Sequence, residues 1–175
     1  MTIELAETER WLLERGAQGR DLDAAELAAL AAELAATPGL WQTHEHHVAD
    51  DRFYVRLCRD HHLDAWLICW MASQDTGLHD HDLSSGAVHV TRGTIAEERL
   101  VIGQKDLAVT EHGAGGSFRF DSSRIHNVRH AGEGAATSLH LYSPPIWRMG
   151  YYEVAPDGQL GRRSATYVDE LGAGR

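Results

Sequence analysis

Ala87-Val88-His89-Val90-Thr91-Arg92-Gly93-Thr94-Ile95-Ala96-Glu97-Glu98-Arg99-Leu100 holds two runs of strand-forming residues, 87–92 and 94–100, joined through Arg92-Gly93-Thr94. β-Branched residues fit a pleated, half-buried surface, and a glycine in a short connection permits a tight turn. Two such runs around one turn predict an antiparallel pair. Working outward, six more runs have the same texture: 52–58, 64–71, 116–121, 125–129, 137–142 and 149–154. Asp75-Thr76-Gly77, Gly113 to Gly116, Gly132-Glu133-Gly134 and Pro156-Asp157-Gly158 separate them. Short strands at regular spacing with no helix between them predict an antiparallel sandwich or barrel. The tip Asp121 to Arg124 is expected to join the runs on either side in a hairpin, with His126 facing inward.

Before residue 38 the texture is helical. Residues 4–15 carry Leu5, Trp11, Leu12 and Leu13 and stop near Gly16. A second helix is expected to start at Asp23, with Glu26 three positions on, the spacing of a capping box. Leu22 and Leu27 stand where a hydrophobic staple places them, and Leu27, Leu30 and Leu34 share one face. Thr37-Pro38-Gly39 ends it. The chain of 175 residues is read as a single domain, with residues 1–38 a helical cover and about 40–168 a β-barrel. The tail after Val168 is expected to fray.

Hydrophobic residues make up 43% and charged residues 24%, which suits a globular chain and not a disordered one. Sixteen basic against 26 acidic residues give a net charge of −10, which argues against sequence-blind binding to nucleic acid. The absence of an 18-residue apolar run argues against a transmembrane helix, and the acidic N-terminus lacks the parts of a signal peptide. The expectation is a cytoplasmic protein, monomeric or weakly dimeric, without membrane or nucleic-acid partners. Two cysteines, Cys58 and Cys69, read as buried thiols.

Twelve histidines make a metal site worth seeking. His79 and His81 flank Asp80, and on a strand residues i and i+2 face the same way. The pair offers two imidazoles to one side. A third ligand would come from His126 or from His140. His140 belongs to Ser138-Leu139-His140-Leu141-Tyr142, where three polar groups share one strand face and two leucines the other. Such a polar line is costly in a core unless its members bond to one another or line a site.

With these residues in view, the chain resembles cysteine dioxygenase, a thiol dioxygenase family of the cupin superfamily. The resemblance rests on Gly77-Leu78-His79-Asp80-His81 followed by Gly86 and Gly93, on Leu67-Ile68-Cys69-Trp70, on His126-Asn127-Val128, on Tyr54-Val55-Arg56 and above all on Ser138 through Tyr142-Ser143-Pro144-Pro145. It implies a mainly β cupin jelly-roll barrel with the helices packed outside. It implies Fe(II) held by His79, His81 and His126, Arg56 on a substrate carboxylate, and Tyr54 and Trp70 at the substrate. Tyr142 would act beside the reacting sulfur and oxygen, with His140 and Ser138 behind it. The implied reaction adds both atoms of O2 to the sulfur of a small thiol, L-cysteine first; 3-mercaptopropionate, cysteamine and an ergothioneine-like thiol stay open, as does a non-catalytic metal-binding sensor. The sequence departs from the family at Gly86, which stands where many cupins have a metal-binding carboxylate and the mammalian enzymes a cysteine crosslinked to tyrosine, so no thioether is expected.

Other polar residues have plainer readings. His44-Glu45-His46-His47 reads as a second metal patch or a solvated loop, and His61-His62 as a turn. His89 either lines the barrel or packs in the core, and Trp70 either walls the pocket or is core. Arg119, Arg124 and Arg129 are alternates for carboxylate binding that read as surface charges.

Overall fold

A computed structural model describes residues 3–16, 19–101, 103–104, 106–155 and 159–166. Helix α1 (Ile3–Gly16) and helix α2 (Ala24–Ala35) precede eleven strands. The capping box is present: Asp23 Oδ1 accepts from the amides of Ala25 and Glu26 at 2.8 and 2.9 Å, and Glu26 Oε2 accepts from the amide of Asp23 at 2.9 Å. These bonds satisfy backbone donors that an uncapped helix would leave to water.

Two antiparallel sheets form the barrel. One runs in the order β1 (Phe53–Arg59), β2 (Asp64–Trp70), β9 (Ala136–Ser143), β4 (Ser85–Arg92), β7 (Ser117–Phe120). The other runs β11 (Leu160–Thr166), β10 (Arg148–Val154), β3 (His79–Asp80), β8 (His126–Ala131), β5 (Thr94–Arg99), β6 (Ala108–Gly113). The mainly β architecture with two helices outside is as expected. β4 and β5 meet at Gly93, whose φ of +65° and contact with the Ala135 carbonyl leave no place for a side chain.

The expected hairpin about Asp121–Arg124 does not form. β7 pairs with β4 in one sheet, and β8 pairs with β3 and β5 in the other. The Asp121 turn, closed by Ser123 N–H to Asp121 Oδ1 at 3.0 Å, is a corner where the chain changes sheets. β3, β6 and β11 are additional to the eight expected runs. The turn at Pro156-Asp157-Gly158 and the tail after Val168 lie outside the described residues.

β9 explains how the layers fit. All eight of its residues are buried, because α2 packs over β9 and β4 while the barrel interior lies on the other side. Leu139 and Leu141 join Leu12, Leu27, Leu30, Leu34, Leu57 and Leu67 in the core beneath the helices. Burying each such leucine contributes about 1.5–3 kcal/mol. The alternate residues Ser138, His140 and Tyr142 therefore face inward, where Val88, Val90, Ile95, Phe120 and Val128 form the second core.

Candidate metal centre

The register of β3 against β8 assembles the histidines. His79 is the cross-strand partner of His126, and His81 lies two residues along the same face. One ligand atom from each comes within 4.8 Å of the others, and all three rings are buried. Among the described residues no other group of three potential ligands converges in this way.

Two of the imidazoles have fixed tautomers. His79 Nδ1–H donates to the Gly77 carbonyl at 2.9 Å, and His126 Nδ1–H donates to Glu97 Oε1 at 3.0 Å. Each leaves Nε2 as a lone-pair donor facing the third ring; the Nε2 atoms of His79 and His81 are 3.1 Å apart. Burial, reinforced by the neighbouring histidines, pushes the His79 pKa down to about 3 and that of His81 well below its usual value. Three imidazole nitrogens with no carboxylate among them suit a first-row transition metal. The residues present therefore fit a metal ion.

Glu97 is a part of the site that sequence reading missed. It is buried beside His126 and also receives Arg124 Nη1 at 3.1 Å and Arg99 Nε at 3.7 Å. Burial pushes its pKa up, but the hydrogen bond from His126 and the nearby positive charges outweigh that and hold it below the usual range. It fixes the orientation of one ligand and raises its basicity. Asp80 points away from the two histidines that flank it. It accepts from Tyr152 Oη at 2.5 Å, from Arg162 Nε at 3.0 Å and from the Gly150 amide at 3.1 Å, tying the His-x-His segment to β10 and β11.

The inward line on β9 is one hydrogen-bonded chain. Trp70 Nε1–H donates to Ser138 Oγ at 2.8 Å, Ser138 Oγ lies 2.8 Å from His140 Nε2, and His140 Nδ1 lies 3.2 Å from Tyr142 Oη. Indole is only a donor, so Ser138 accepts from it and passes its own O–H to His140 Nε2. His140 Nδ1–H then donates to Tyr142, whose O–H is left to donate into the cavity. The opposite order would strand the Ser138 hydrogen in the core. Burial, with the surrounding positive charges, holds the His140 pKa near 3, so the ring is neutral. Burial and the Asp64 carboxylate raise that of Tyr142, so its phenol keeps its proton.

A cavity of about 120 Å³ opens beside the triad, lined by His79, His126 and Val128 from one sheet and by Tyr54, Trp66, Ile68, His140 and Tyr142 from the other, with Arg52 just before β1. That is room for roughly eight waters, or one small thiol. Trp70 and Ser138 are buried behind its wall. Arg56 shares the face of β1 that carries Tyr54 but is itself exposed, with its guanidinium 5.8 Å from the Trp66 ring centroid and outside the cavity lining; Arg52, four residues earlier, is in the lining. Gly86 faces Tyr142 and Phe120, and the Phe120 ring fills the space beside it.

Several of the remaining polar residues have structural partners. His47 Nε2 sits 3.1 Å from the Ala136 carbonyl, Glu45 receives Thr137 Oγ1 at 2.6 Å, and the His46 ring packs edge-on against Phe53. In the 60–63 turn the His62 amide donates to Asp60 Oδ1 at 2.8 Å, and the His62 ring Nδ1 meets Asp21 at 2.9 Å. His89 alternates with the inward-facing Val88 and Val90, so it lies on the outer face of β4. Arg124 and Arg129 are paired with Glu97 and Glu98, and Arg119 is exposed. Ser143-Pro144 is cis. Among the described residues no helix is long and apolar enough to cross a membrane.

The family model described as cysteine dioxygenase type I matches residues 3–154. A Bacillus halodurans structure superposes with a TM-score of 0.52 at 19% identity, covering 68% of this chain and 81% of that one. An uncharacterized conserved protein with a double-stranded beta-helix domain from Klebsiella pneumoniae gives 0.52 at 13% identity, covering 71% and 88%. A cupin superfamily protein from Desulfitobacterium hafniense gives 0.50 at 10% identity, covering 60% and 88%. At these identities the likeness is one of fold. Among curated proteins no sequence matches this chain significantly.

Proposed function

The chain belongs to the cysteine dioxygenase type I family, and on that premise we propose that it is an Fe(II)-dependent dioxygenase of a small thiol, L-cysteine being the first candidate. The observation that carries the reading is the buried triad of His79, His81 and His126 beside a cavity whose lining includes His79, His126 and the free end of the Tyr142 chain. Fe(II) held by these residues would supply the coordination and redox chemistry that lets O2 add to a thiolate sulfur. The reaction balances without a further reductant: sulfur loses four electrons, O2 gains four, and both oxygens end in the sulfinate.

The chain's own residues support that chemistry. Neutral imidazoles leave a bound cation its full charge, which favours an anionic thiolate. Glu97 and the Gly77 carbonyl hold His126 and His79 in the tautomer that presents Nε2. Tyr142 O–H, aimed by His140 and Ser138, donates where negative charge develops on oxygen or sulfur. Ile68, Val128, Ile146 and Met149 line the cavity with apolar surface that limits water. By the family resemblance Arg56 would bind the acid and Tyr54 and Trp70 would stand at the substrate; Tyr54 is in the cavity lining, Trp70 lies behind it and Arg56 stands outside it.

The test is anaerobic reconstitution with Fe(II) followed by oxygen uptake across cysteine, 3-mercaptopropionate, cysteamine and ergothioneine. The expected product carries both atoms of isotopically labelled O2 on sulfur, and His126→Ala should lose both iron and uptake. No uptake with any thiol, or a single labelled atom in the product, overturns the proposal.

A further inference from the structure

We infer that Arg59 and Asp64 form a latch that seats the loop 144–147 against the cavity, and that this latch sets the size of thiol the cavity admits. The latch stands on contacts outside the metal centre; its consequence for a thiol rests on the dioxygenase reading.

The loop reads Pro144-Pro145-Ile146-Trp147 and carries the chain from β9 in one sheet to β10 in the other. Its two prolines have no N–H to offer either sheet, and their fixed φ stiffens the segment. Ile146 is buried and lines the cavity, whereas Trp147 is 69% exposed. A short segment with one side chain in the site and the next in solvent has few apolar contacts of its own. Its position therefore depends on what its backbone is tied to.

Arg59 and Asp64 make that tie. They are cross-strand partners at the ends of β1 and β2, and Asp64 pairs on its other side with Tyr142 of β9. Asp64 is fully buried, and it alternates onto the strand face that carries Trp66 and Ile68. Arg59 Nη1 donates to Asp64 Oδ2, and Arg59 Nη2 donates to the Ile146 carbonyl at 2.9 Å. The same guanidinium lies 4.7 Å from the Trp147 ring centroid. One fork thus holds a buried carboxylate, the backbone of a lining residue and the ring beside it. Burial pushes the Asp64 carboxyl up to about 6 against the pull of Arg59 and Arg56, and the Trp66 indole and the Ile146 amide also favour its charged form. At pH 7.5 it is ionised and needs its partner, since a buried carboxylate without one is costly. Arginine meets two acceptors at once through a rigid planar fork; lysine keeps the charge but is a point charge on a flexible stem. The cavity is only about 120 Å³, so an outward shift of Ile146 would enlarge it by a substantial fraction.

The experiment compares wild type with Arg59→Lys and Asp64→Asn at pH 7.5. Arg59→Lys leaves a cation beside Asp64 and loses the fork that reaches the Ile146 carbonyl, so it decides the question if Asp64→Asn does not fold. Hydrogen–deuterium exchange of the metal-free protein is the readout independent of activity. The amides of Ile146 and Trp147 are expected to exchange about tenfold faster or more in both variants, while those of β9 keep their wild-type rates. Unchanged exchange at Ile146 and Trp147 in a folded variant overturns the latch, and so does an acceleration shared equally by β9. With iron loaded, the second readout is kcat/KM for L-cysteine divided by that for the bulkier ergothioneine. This ratio should fall about tenfold or more in both variants, chiefly through a lower KM for ergothioneine. An unchanged ratio, or an equal loss towards both thiols, overturns the size-setting role. If iron-loaded wild type consumes no oxygen with any thiol, the dioxygenase reading fails, and the exchange rates still decide whether Arg59 and Asp64 hold the loop.

Discussion

Gly86→Ala is the smallest change that tests how the metal centre is packed. Gly86 lies in the middle of β4, paired with Tyr142 on one side and Phe120 on the other. A Cβ there would stand 2.4 Å from Phe120 Cζ, 2.6 Å from Cε2 and 3.1 Å from Tyr142 Cδ1. Comfortable carbon contacts lie at about 3.5–4.0 Å, so the ring must move by about 1 Å. It has little freedom to do so. Phe120 is buried, stacked on His81 at 4.9 Å and edge-on to His126 at 4.7 Å. Two effects oppose. Replacing a strand glycine by alanine recovers about 0.5–1 kcal/mol of backbone entropy. Overpacking a closed core costs typically 1–3 kcal/mol, and the short contacts place this site towards the upper end. The net expectation is a loss of about 1–2 kcal/mol, seen as a fall in Tm of roughly 2–8 °C for a domain of this size. Because the displaced ring leans on two ligands, metal affinity should fall as well. Thermal melts of the metal-free protein and a Co(II) titration measure the two effects separately. Phe120→Leu in the Gly86→Ala background should recover part of the stability, giving a favourable coupling in the double-mutant cycle. If Gly86→Ala alone is as stable as wild type and binds metal equally well, the packing argument is wrong.

Three further outcomes follow from the same geometry. Glu97→Gln keeps an acceptor for His126 Nδ1 but removes the charge, and it should weaken metal binding about ten- to a hundredfold in a competition titration with a chelator; unchanged affinity would show that the carboxylate does not tune the ligand. Tyr142→Phe should lower kcat about a hundredfold or more while moving KM far less, as steady-state oxygen uptake would reveal; a change confined to KM would place the hydroxyl in ground-state binding. The metal-free protein should lose stability as the pH falls. His79 and His140 have folded pKa values near 3 and His81 lies well below 6.5, so below about pH 6.5 the unfolded chain takes up protons that the folded chain refuses. Each such histidine contributes a slope of up to about 1.4 kcal/mol per pH unit, with full stability above pH 6.5 and progressive loss towards pH 3. Urea midpoints from pH 7.5 to 5 check this, and a flat profile would contradict it.

What could be read from the sequence was local or strictly periodic. The Asp23–Glu26 box spans three residues, and the alternation in Ser138–Tyr142 states its two faces outright, so both were legible. β6 and β11 were not. β6 reads Ala-Val-Thr-Glu-His-Gly and is largely exposed, and β11 is an edge strand held by its pairing with β10. Backbone pairing stabilises such strands without leaving a hydrophobic signature. The corner at Asp121 has the same turn chemistry as a hairpin, and only the pairing of β7 with β4 tells them apart. Glu97 was invisible because its partner His126 is 29 residues away and each side chain alone is unremarkable. Of the two readings left open for Trp70, the structure takes the core one: it is fully buried behind the cavity lining, and its N–H starts the chain that orients Tyr142.

The placement of charge around the triad explains how a strongly acidic chain keeps carboxylates out of its cavity. The net charge is −10, yet the two carboxylates nearest the ligands face away from the open space. Glu97 stands behind His126 and is matched by Arg124 and Arg99; Asp80 turns outward and is matched by Arg162. Each therefore orients a ligand or the backbone that carries it while presenting little negative potential to the cavity. A carboxylate in direct contact with a bound cation would cancel part of its charge; one placed a residue further out, already paired with arginine, steers the imidazole and leaves that charge for the incoming ligand. The described lining of the cavity accordingly contains no carboxylate.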